Sequence, residues 1–291
     1  MKKSQTSITA QGIALIRALE YERPVAERIC SDPLARRFIS TWFYLLGKLF
    51  VGYGERKGPG VAGFLTARCR YMDDILKECL AGGIGQLVIL GAGLDSRAYR
   101  FEGLKGRVRV FEVDLPATQK VKIEKVRKVL GEVPDHVTYV PIDFNTEDLG
   151  KMLSAGYDPG RKTLFIWEGV TYYLTAGAVD QTLAFVVHNS APGSSIVFDY
   201  MDPSALTAAK KRGEIERMAR ASRFTGEGLV FGIEPDRIVE FLQARGFDRI
   251  VNMTADDLHA KYFTGANSVR TVAPIYAIVH ATVAPGKFTT G

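Results

Sequence analysis

The stretch LVILGAGLDSRAYR, residues 87–100, decides how this chain folds. An apolar run stops at a Gly-Ala-Gly turn, and a polar segment that is compatible with a helix follows it. A strand that passes through a glycine turn into a helix often holds a nucleotide-type ligand, because the turn lets the backbone approach that ligand closely. Such a turn alone is a weak indication, since glycine also serves simply to make a tight corner.

From residue 86 onward, short apolar segments alternate with helical patterns. This alternation predicts a doubly wound α/β fold, in which a mostly parallel, seven-stranded sheet carries helices on both faces. The predicted strands are residues 86–90, 108–114, 137–143, 163–169, 194–200, 248–254 and 275–283. The last two are separated by a long segment with no clear helix, so an antiparallel, hairpin-like edge is open to them.

Acidic residues stand at the carboxyl ends of four predicted strands, which is where an open parallel sheet holds its ligand. These residues are Asp114, Asp143, Glu168 and Asp199. No lysine or arginine stands beside them in the sequence. We therefore expect a site for a cationic ligand with hydroxyl groups rather than for a polyphosphate.

The glycine turn does not complete a phosphate-binding motif. Ser96 occupies the place of the third glycine in the dinucleotide pattern GxGxxG, and Asp95 would repel a pyrophosphate. Asp114, in contrast, lies 23 residues after Gly91, close to the spacing of about 20 residues that is typical of a ribose-binding acid. Glu112 has a similar spacing, but its place inside the strand favours a partner elsewhere. A ribose without a pyrophosphate indicates S-adenosyl-L-methionine, whose sulfonium is cationic.

The composition is that of an ordinary globular protein, with 46% hydrophobic and 24% charged residues among 291. Three cysteines without a CxxC pair and four scattered histidines predict neither a disulfide framework nor a metal site. The N-terminus lacks the apolar run of a secretion signal, so we expect a cytoplasmic location. The apolar segment at residues 41–54 is too short to span a bilayer. It is typical of a lid helix that packs on the core, lines an apolar pocket or touches a membrane.

The net charge of +6 is mildly basic. We interpret its densest cluster as a solvated helix face; it consists of Lys120, Lys122, Lys125, Arg127 and Lys128. A nucleic-acid surface would need basic residues interleaved with stacking aromatic side chains, and the sequence shows no such pattern. We therefore expect no nucleic-acid partner.

Several segments together resemble a known family. They read SDPLARRFI (31–39), TARCRYMDDIL (66–76), LVILGAGLDSRAYRF (87–101), VFEVDLPATQKVK (110–122), YVPIDFN (139–145) and LFIWEGVTYYLT (164–175). In this order they resemble the class I S-adenosylmethionine-dependent methyltransferases, which have a Rossmann-like sheet. More narrowly, they are similar to the leucine carboxyl methyltransferase family and its prokaryotic O-methyltransferase branch.

The resemblance implies residues for the methionine half of S-adenosyl-L-methionine. Arg68 would reach the cofactor carboxylate from the helix before the sheet, with Arg70 as the alternative two residues later. Gly91 and Gly93 would let the backbone approach the methionine chain. Glu168 would meet the amino group.

The resemblance also implies contacts to the nucleoside half and a division of the chain. Asp114 would hold the ribose, and Asp143 with Phe144 would contact the adenine. The expected single domain begins with a helical lid at residues 1–82 and continues with a cofactor-binding half at 83–200. A cover over the substrate at 201–232 and the C-terminal strands at 233–291 would complete it.

The expected activity is O-methylation of a small molecule, at a carboxylate or a hydroxyl. A carboxylate needs no general base, whereas a hydroxyl does, and no histidine stands near a strand end. The expected catalytic or substrate-side residues are Tyr172, Tyr173, Tyr200 and Arg97. The alternatives are methylation of a protein C-terminus, a nucleic-acid methyltransferase, an NAD-dependent oxidoreductase and a protein that binds the cofactor without turnover. An oligomer is compatible with the sequence, and stable membrane insertion is not expected.

Overall fold

A seven-stranded sheet forms the centre of the computed structural model, which describes residues 8–57, 59–204 and 229–285. Its strands are β1 (Gln86–Leu90), β2 (Arg109–Asp114), β3 (Val137–Pro141), β4 (Thr163–Trp167), β5 (Ser195–Met201), β6 (Phe247–Met253) and β7 (Tyr276–Val283). Each of the predicted strands is confirmed to within two residues at either end. Long apolar runs made them recognisable, because β1, β4 and β5 are buried along their whole length.

The strands follow the order β3-β2-β1-β4-β5-β7-β6 across the sheet. The strands β1 to β5 are mutually parallel, and β7 runs antiparallel between β5 and β6. The predicted doubly wound, mostly parallel fold is therefore confirmed, as is the antiparallel pairing of the last two strands. The chain leaves β1 toward β2 on one side and later returns to β4 on the other. This change of direction opens a crevice above the carboxyl ends of β1 and β4.

The helices of the described residues begin and end at recognisable signals. They are α1 (Ile8–Tyr21), α2 (Ala35–Phe38), α3 (Thr41–Lys57), α4 (Val61–Ala81), α5 (Arg97–Arg100), α6 (Pro116–Leu130), α7 (Lys151–Ser154), α8 (Ala176–His188), α9 (Ile238–Gln243) and α10 (Ala255–Tyr262). Pro116 occupies the first turn of α6, where its missing N–H costs nothing. The hydroxyl of Thr175 accepts from the backbone N–H of Ala178 and caps α8. None of these helices is long and apolar enough to cross a bilayer.

One sequence expectation about helices is wrong. The segment between the last two strands contains α10, which Thr254 and Asp257 begin with a reciprocal capping box. The helix before the sheet that carries Arg68 is α4, and it begins at Val61, directly after the left-handed Gly60. Of the expected substrate cover at residues 201–232, residues 205–228 lie outside the described part of the chain.

Side chains of each strand alternate between two hydrophobic layers. In β1, Leu87 and Ile89 pack into the layer that contains α1, α2 and α4. Val88 and Leu90 face the opposite layer, which contains α8 and α9. Because both layers are apolar, the sequence of a central strand reads as a continuous hydrophobic run.

Lys122 lies in the interior, which corrects the interpretation of the α6 basic cluster as a solvated face. Its ammonium is 2.8 Å from Oε2 of Glu112 in β2 and donates to the carbonyl oxygen of Ala92 at 3.3 Å. Both charged side chains are almost fully buried. Burial raises the pKa of Glu112 to about 7, although the attraction of Lys122 acts in the opposite direction. This ion pair connects α6 to β2 directly behind the Gly-Ala-Gly turn. Lys122 is thus the partner that was expected for Glu112 from its place inside the strand.

We predict that Lys122→Met lowers the free energy of unfolding by about 3–5 kcal/mol, because it leaves the Glu112 carboxylate buried without its counter-charge. The double variant Lys122→Met/Glu112→Leu should regain most of that loss, since it removes both charges together. Chemical denaturation measures both values. Lys120→Met, at an exposed position of the same helix, is the matched control and should change stability by less than about 0.5 kcal/mol. Equal effects at the two lysines would contradict the role of the buried pair.

Candidate functional site

A cleft of about 410 Å³ lies above the carboxyl ends of the central strands. The loops after β1, β2, β3 and β4 form its floor and sides, and α1 closes it through Thr9, Ala10, Ile13 and Arg17. This volume is within the range of about 300–1,000 Å³ that is usual for sites of small ligands. Among the residues that the structure describes, the charged lining residues are four carboxylates and one arginine, namely Asp95, Asp114, Asp143, Glu168 and Arg17.

The Gly-Ala-Gly turn brings bare backbone to the cleft. Gly91 and Gly93 have φ values of +68° and +42°, a region that side chains with a Cβ adopt at a cost. A Cβ on Gly91 would also meet Cγ2 of Val170 at 2.3 Å. Both glycines line the cleft, so the structure brings the two predicted backbone contacts to the same wall.

Asp114 joins the ends of the two neighbouring strands. Its Oδ2 accepts from the backbone N–H of Gly93 at 2.5 Å, and its Oδ1 accepts from the N–H of Leu115 at 2.7 Å. These bonds fix the carboxylate in the wall of the cleft, at the position predicted for a ribose partner. Each carboxylate oxygen can accept more than one hydrogen bond, so hydroxyl groups of a ligand fit here as further donors.

Asp143 and Phe144 line the cleft beside β3. Oδ1 of Asp143 accepts from the backbone N–H of Asn145 at 3.0 Å and so orders the turn that follows the strand. Phe144 is buried except for a small part of its surface. The two residues present a carboxylate and an aromatic ring to the same end of the cleft, an arrangement that suits a heterocyclic base.

Two buried arginines hold Glu168 at the end of β4. Nη1 of Arg97 donates to its Oε2 at 2.6 Å, and Nε of Arg68 donates to its Oε1 at 3.1 Å. Burial alone would raise the pKa of Glu168, but attraction to Arg97 and Arg68 outweighs burial and lowers it. No cationic residue is next to Glu168 in the sequence, but the fold brings two arginines to it. Both arginines come from other elements, so sequence neighbourhood could not reveal them.

Arg97 connects three acidic side chains. Its Nε donates to Asp73 in α4 at 2.7 Å, while Nη1 contacts Asp95 as well as Glu168. Burial would raise the pKa of the Asp95 carboxyl, but the attraction of Arg97, supported by Lys122 and Arg17, outweighs burial and lowers it. The structure thus places Arg97 behind the cleft wall, where it orders acids, and not among the lining residues.

Arg68 and Arg70 have different surroundings. Arg68 is fully buried between Glu168 and Asp199, and its Nη1 donates to Oδ2 of Asp199 at 2.6 Å. Arg70 pairs with Asp74 one turn further along α4 and remains partly exposed. Of these two arginines, Arg68 is the one that reaches the strand ends, although it is not a lining residue of the cleft.

Arg17 is a cationic residue of the cleft lining that sequence reasoning missed. Its Nε donates to Asp32 at 2.9 Å, and its Nη2 donates to the carbonyl oxygen of Leu94 at 2.6 Å. Together with Ala10 and Ile13 it follows a helical spacing along the face of α1 that lines the cleft. That spacing was the available signal, but it does not by itself distinguish a cleft from a core.

The three tyrosines that were candidates for the substrate side are in different places. Tyr173 lines the cleft. The Tyr172 hydroxyl is buried, accepts from Arg68 at 3.3 Å and donates to Asp199 at 3.4 Å. Tyr200 is fully buried, and its hydroxyl donates to Asn252 of β6 at 2.9 Å. The structure therefore brings only Tyr173 of these three into the cleft lining.

The fold and the cleft are those expected of a class I methyltransferase, and comparison with known proteins gives the family. Residues 10–187 match the leucine carboxyl methyltransferase family. YktD of Bacillus subtilis, which is named as a candidate S-adenosyl-L-methionine-dependent methyltransferase, is 32% identical over 74% of this chain and 71% of its own length. A protein of Streptomyces coelicolor with the same description is 33% identical over 82% of each chain. The chain belongs to the leucine carboxyl methyltransferase family of S-adenosyl-L-methionine-dependent methyltransferases.

Solved structures show the same architecture at low sequence identity. A DUF574 family protein from Streptomyces avermitilis superposes with a TM-score of 0.62 at 14% identity, over 97% of this chain and 99% of that protein. A candidate methyltransferase from Thermobifida fusca gives a TM-score of 0.56 at 16% identity, over 97% of both chains. These likenesses confirm the α/β methyltransferase fold.

The two glycines of the turn should tolerate substitution unequally. We predict that Gly91→Ala costs more stability than Gly93→Ala, because both strain the backbone by about 1–3 kcal/mol but only the first places a Cβ against Val170. The double variant Gly91→Ala/Val170→Ala should recover the difference between the two single variants. Denaturation midpoints provide the measurement. Equal losses at both glycines would show that the contact with Val170 plays no part.

Proposed function

We propose that this methyltransferase transfers the methyl group of S-adenosyl-L-methionine to an oxygen of a small molecule, and that this oxygen belongs to a carboxylate. The observation that carries the proposal is the state of the acids in the cleft. Two of these acids, Asp95 and Glu168, have a lowered pKa although burial alone would raise it. Arg97 contributes to both shifts, together with Arg68 at Glu168 and with Lys122 and Arg17 at Asp95. Carboxylates with lowered pKa values are weak bases, so they are poorly suited to remove a proton from an alcohol.

A carboxylate acceptor brings its own negative charge at neutral pH and needs no base. When bound, S-adenosyl-L-methionine supplies a methyl group whose bond to the cationic sulfur breaks as the acceptor oxygen attacks, with the electron pair passing to the sulfur. The protein contributes mainly by holding the two reactants in line, which is worth about 7–11 kcal/mol in well-oriented systems. Tyr173 in the cleft lining is the candidate for orienting the acceptor.

The residues of the cleft favour one orientation of the bound cofactor. Asp114 would accept from the ribose hydroxyls, and Asp143 with Phe144 would hold the adenine. Glu168 would receive the amino group of the methionine half beside the open backbone of Gly91 and Gly93. Arg17 would bind the carboxylate of the cofactor, because it lines the cleft. Arg68 would act indirectly, by fixing Glu168.

Two binding variants test this orientation. Asp114→Ala should lower the affinity for S-adenosylhomocysteine at least about 30-fold, since it removes charge-assisted hydrogen bonds to the ribose. It should weaken 5′-methylthioadenosine, which has the ribose but no amino acid, by a similar factor. Arg17→Met should weaken only S-adenosylhomocysteine, because only that ligand carries the carboxylate.

Isothermal titration calorimetry gives these affinities. The control is Asp135→Ala, which removes an exposed acid and should leave both affinities unchanged. A parallel loss of both ligands in Arg17→Met would contradict the assignment of Arg17 to the carboxylate. An unchanged affinity in Asp114→Ala would contradict the whole orientation.

The chemical class of the acceptor can be tested with matched compounds. We predict that, among small aromatic and aliphatic acids each paired with its primary alcohol analogue, the wild-type protein methylates acids. Mild base should release the label as volatile methanol, because a methyl ester hydrolyses under these conditions and a methyl ether does not. Methylation of the alcohols alone, with a base-stable product, would overturn the choice of a carboxylate while leaving the methyltransferase assignment intact.

A further inference from the structure

Helix α3 turns a large apolar surface toward solvent. Trp42 and Leu49 are each 77% exposed, Phe50 is 63% exposed, and Leu46 and Leu45 are 53% and 48% exposed. Single exposed apolar residues are common, whereas five on one helix form a contiguous patch of the kind that marks an interaction surface.

The orientation of α3 is opposite to that of an ordinary surface helix. At 3.6 residues per turn, the five exposed side chains fall within an arc of about 140°, opposite Tyr44. The buried side contains the small Gly47, where an added Cβ would come within 2.2 Å of Leu15 in α1. The helix therefore packs through a narrow side and leaves its broad apolar side uncovered.

Cationic side chains lie at both ends of this surface. Nη2 of Arg37 donates to the carbonyl oxygen of Val129 at 2.8 Å, which brings the exposed Arg127 and Lys128 of α6 close to the segment that enters α3. Arg36 donates to Oγ1 of Thr41, the first residue of α3, at 3.3 Å.

At the opposite end of α3, Arg56 is exposed. An apolar stripe that contains Trp, Phe and Leu and is bordered by Arg and Lys is typical of helices that lie in a membrane interface.

We propose that this face of α3 docks on the surface of an anionic lipid bilayer. The apolar stripe would enter the headgroup region, and the cations at its ends would pair with lipid phosphates. A second copy of this chain is a poorer occupant. If two copies of α3 paired in parallel, cationic ends of the same kind would meet. If they paired antiparallel, Arg56 of one copy would face the cations near the start of α3 in the other copy. Like charges therefore meet in either case. The inference rests on the fold alone and holds whichever acceptor is methylated.

The tryptophans of the chain provide a direct readout on the full-length protein. Trp42 is exposed, whereas Trp167 is fully buried, so a change of emission on vesicle binding reports Trp42. We expect a blue shift and quenching by brominated acyl chains with vesicles that contain about 30% phosphatidylglycerol, and much less with phosphatidylcholine alone. Co-sedimentation with the anionic vesicles should decrease at about 0.5 M salt, because salt screens the cationic contribution.

Leu49→Glu should reduce co-sedimentation at least about tenfold, since it places a charge in the centre of the stripe. The matched control is Val239→Glu, at a 41% exposed position of α9 on the other face of the sheet. It should bind vesicles like the wild type. Thermal denaturation checks that both variants are folded.

Three results would overturn the proposal. One is wild-type protein that neither sediments with anionic vesicles nor shifts its Trp42 emission. Another is a dimer in analytical ultracentrifugation that Leu49→Glu dissociates while vesicles remain unbound, which would assign the face to a second copy. Vesicle binding that Leu49→Glu leaves unchanged would likewise remove α3 from the interaction.

Discussion

The contact between Arg97 and Glu168 is the interaction on which the site depends. Charges taken out of water are costly unless each has a well-placed partner, so a buried guanidinium fixes the position of every acid that it serves. Arg97 serves Asp73 in α4, Asp95 after the glycine turn and Glu168 at the end of β4. One side chain thereby holds three separate elements in register around the crevice.

This network also sets the electrostatics of the cleft before any ligand arrives. Glu168 and Asp95 stay ionised because arginines stand behind them, away from the ligand side. The lining therefore presents negative charge to a cationic cofactor without exposing the compensating positive charge. Among the described lining residues Arg17 is the exception, and it comes from α1 rather than from the sheet. Preorganised charge of this kind needs no rearrangement when the ligand binds.

The sequence was sufficient for the sheet but not for its charged interior. Continuous apolar runs predicted β1 to β5 because both faces of these strands are covered. The capping box formed by Thr254 and Asp257 is also a signal in the sequence, and it identifies the start of α10. The environments of three cationic residues could not be predicted from the sequence, namely those of Lys122, Arg97 and Arg17. A lysine looks the same in sequence whether it faces water or a buried glutamate, and ion pairs between distant elements depend on packing that periodicity does not describe. The candidate site was accordingly predictable as a set of strand-end acids, and the arginines that control those acids were not.

The position of β7 between β5 and β6 has a consequence for how the sheet is assembled. Strand β6 is synthesised before β7, yet among the described strands β7 is its one hydrogen-bonded neighbour. Strands β1 to β5 can pair as they leave the ribosome, whereas β6 must wait until β7 has emerged and attached to β5. The edge of the sheet is therefore completed last, and the nascent chain carries an unpaired β6 for the time needed to synthesise about thirty further residues, a few seconds at ordinary rates.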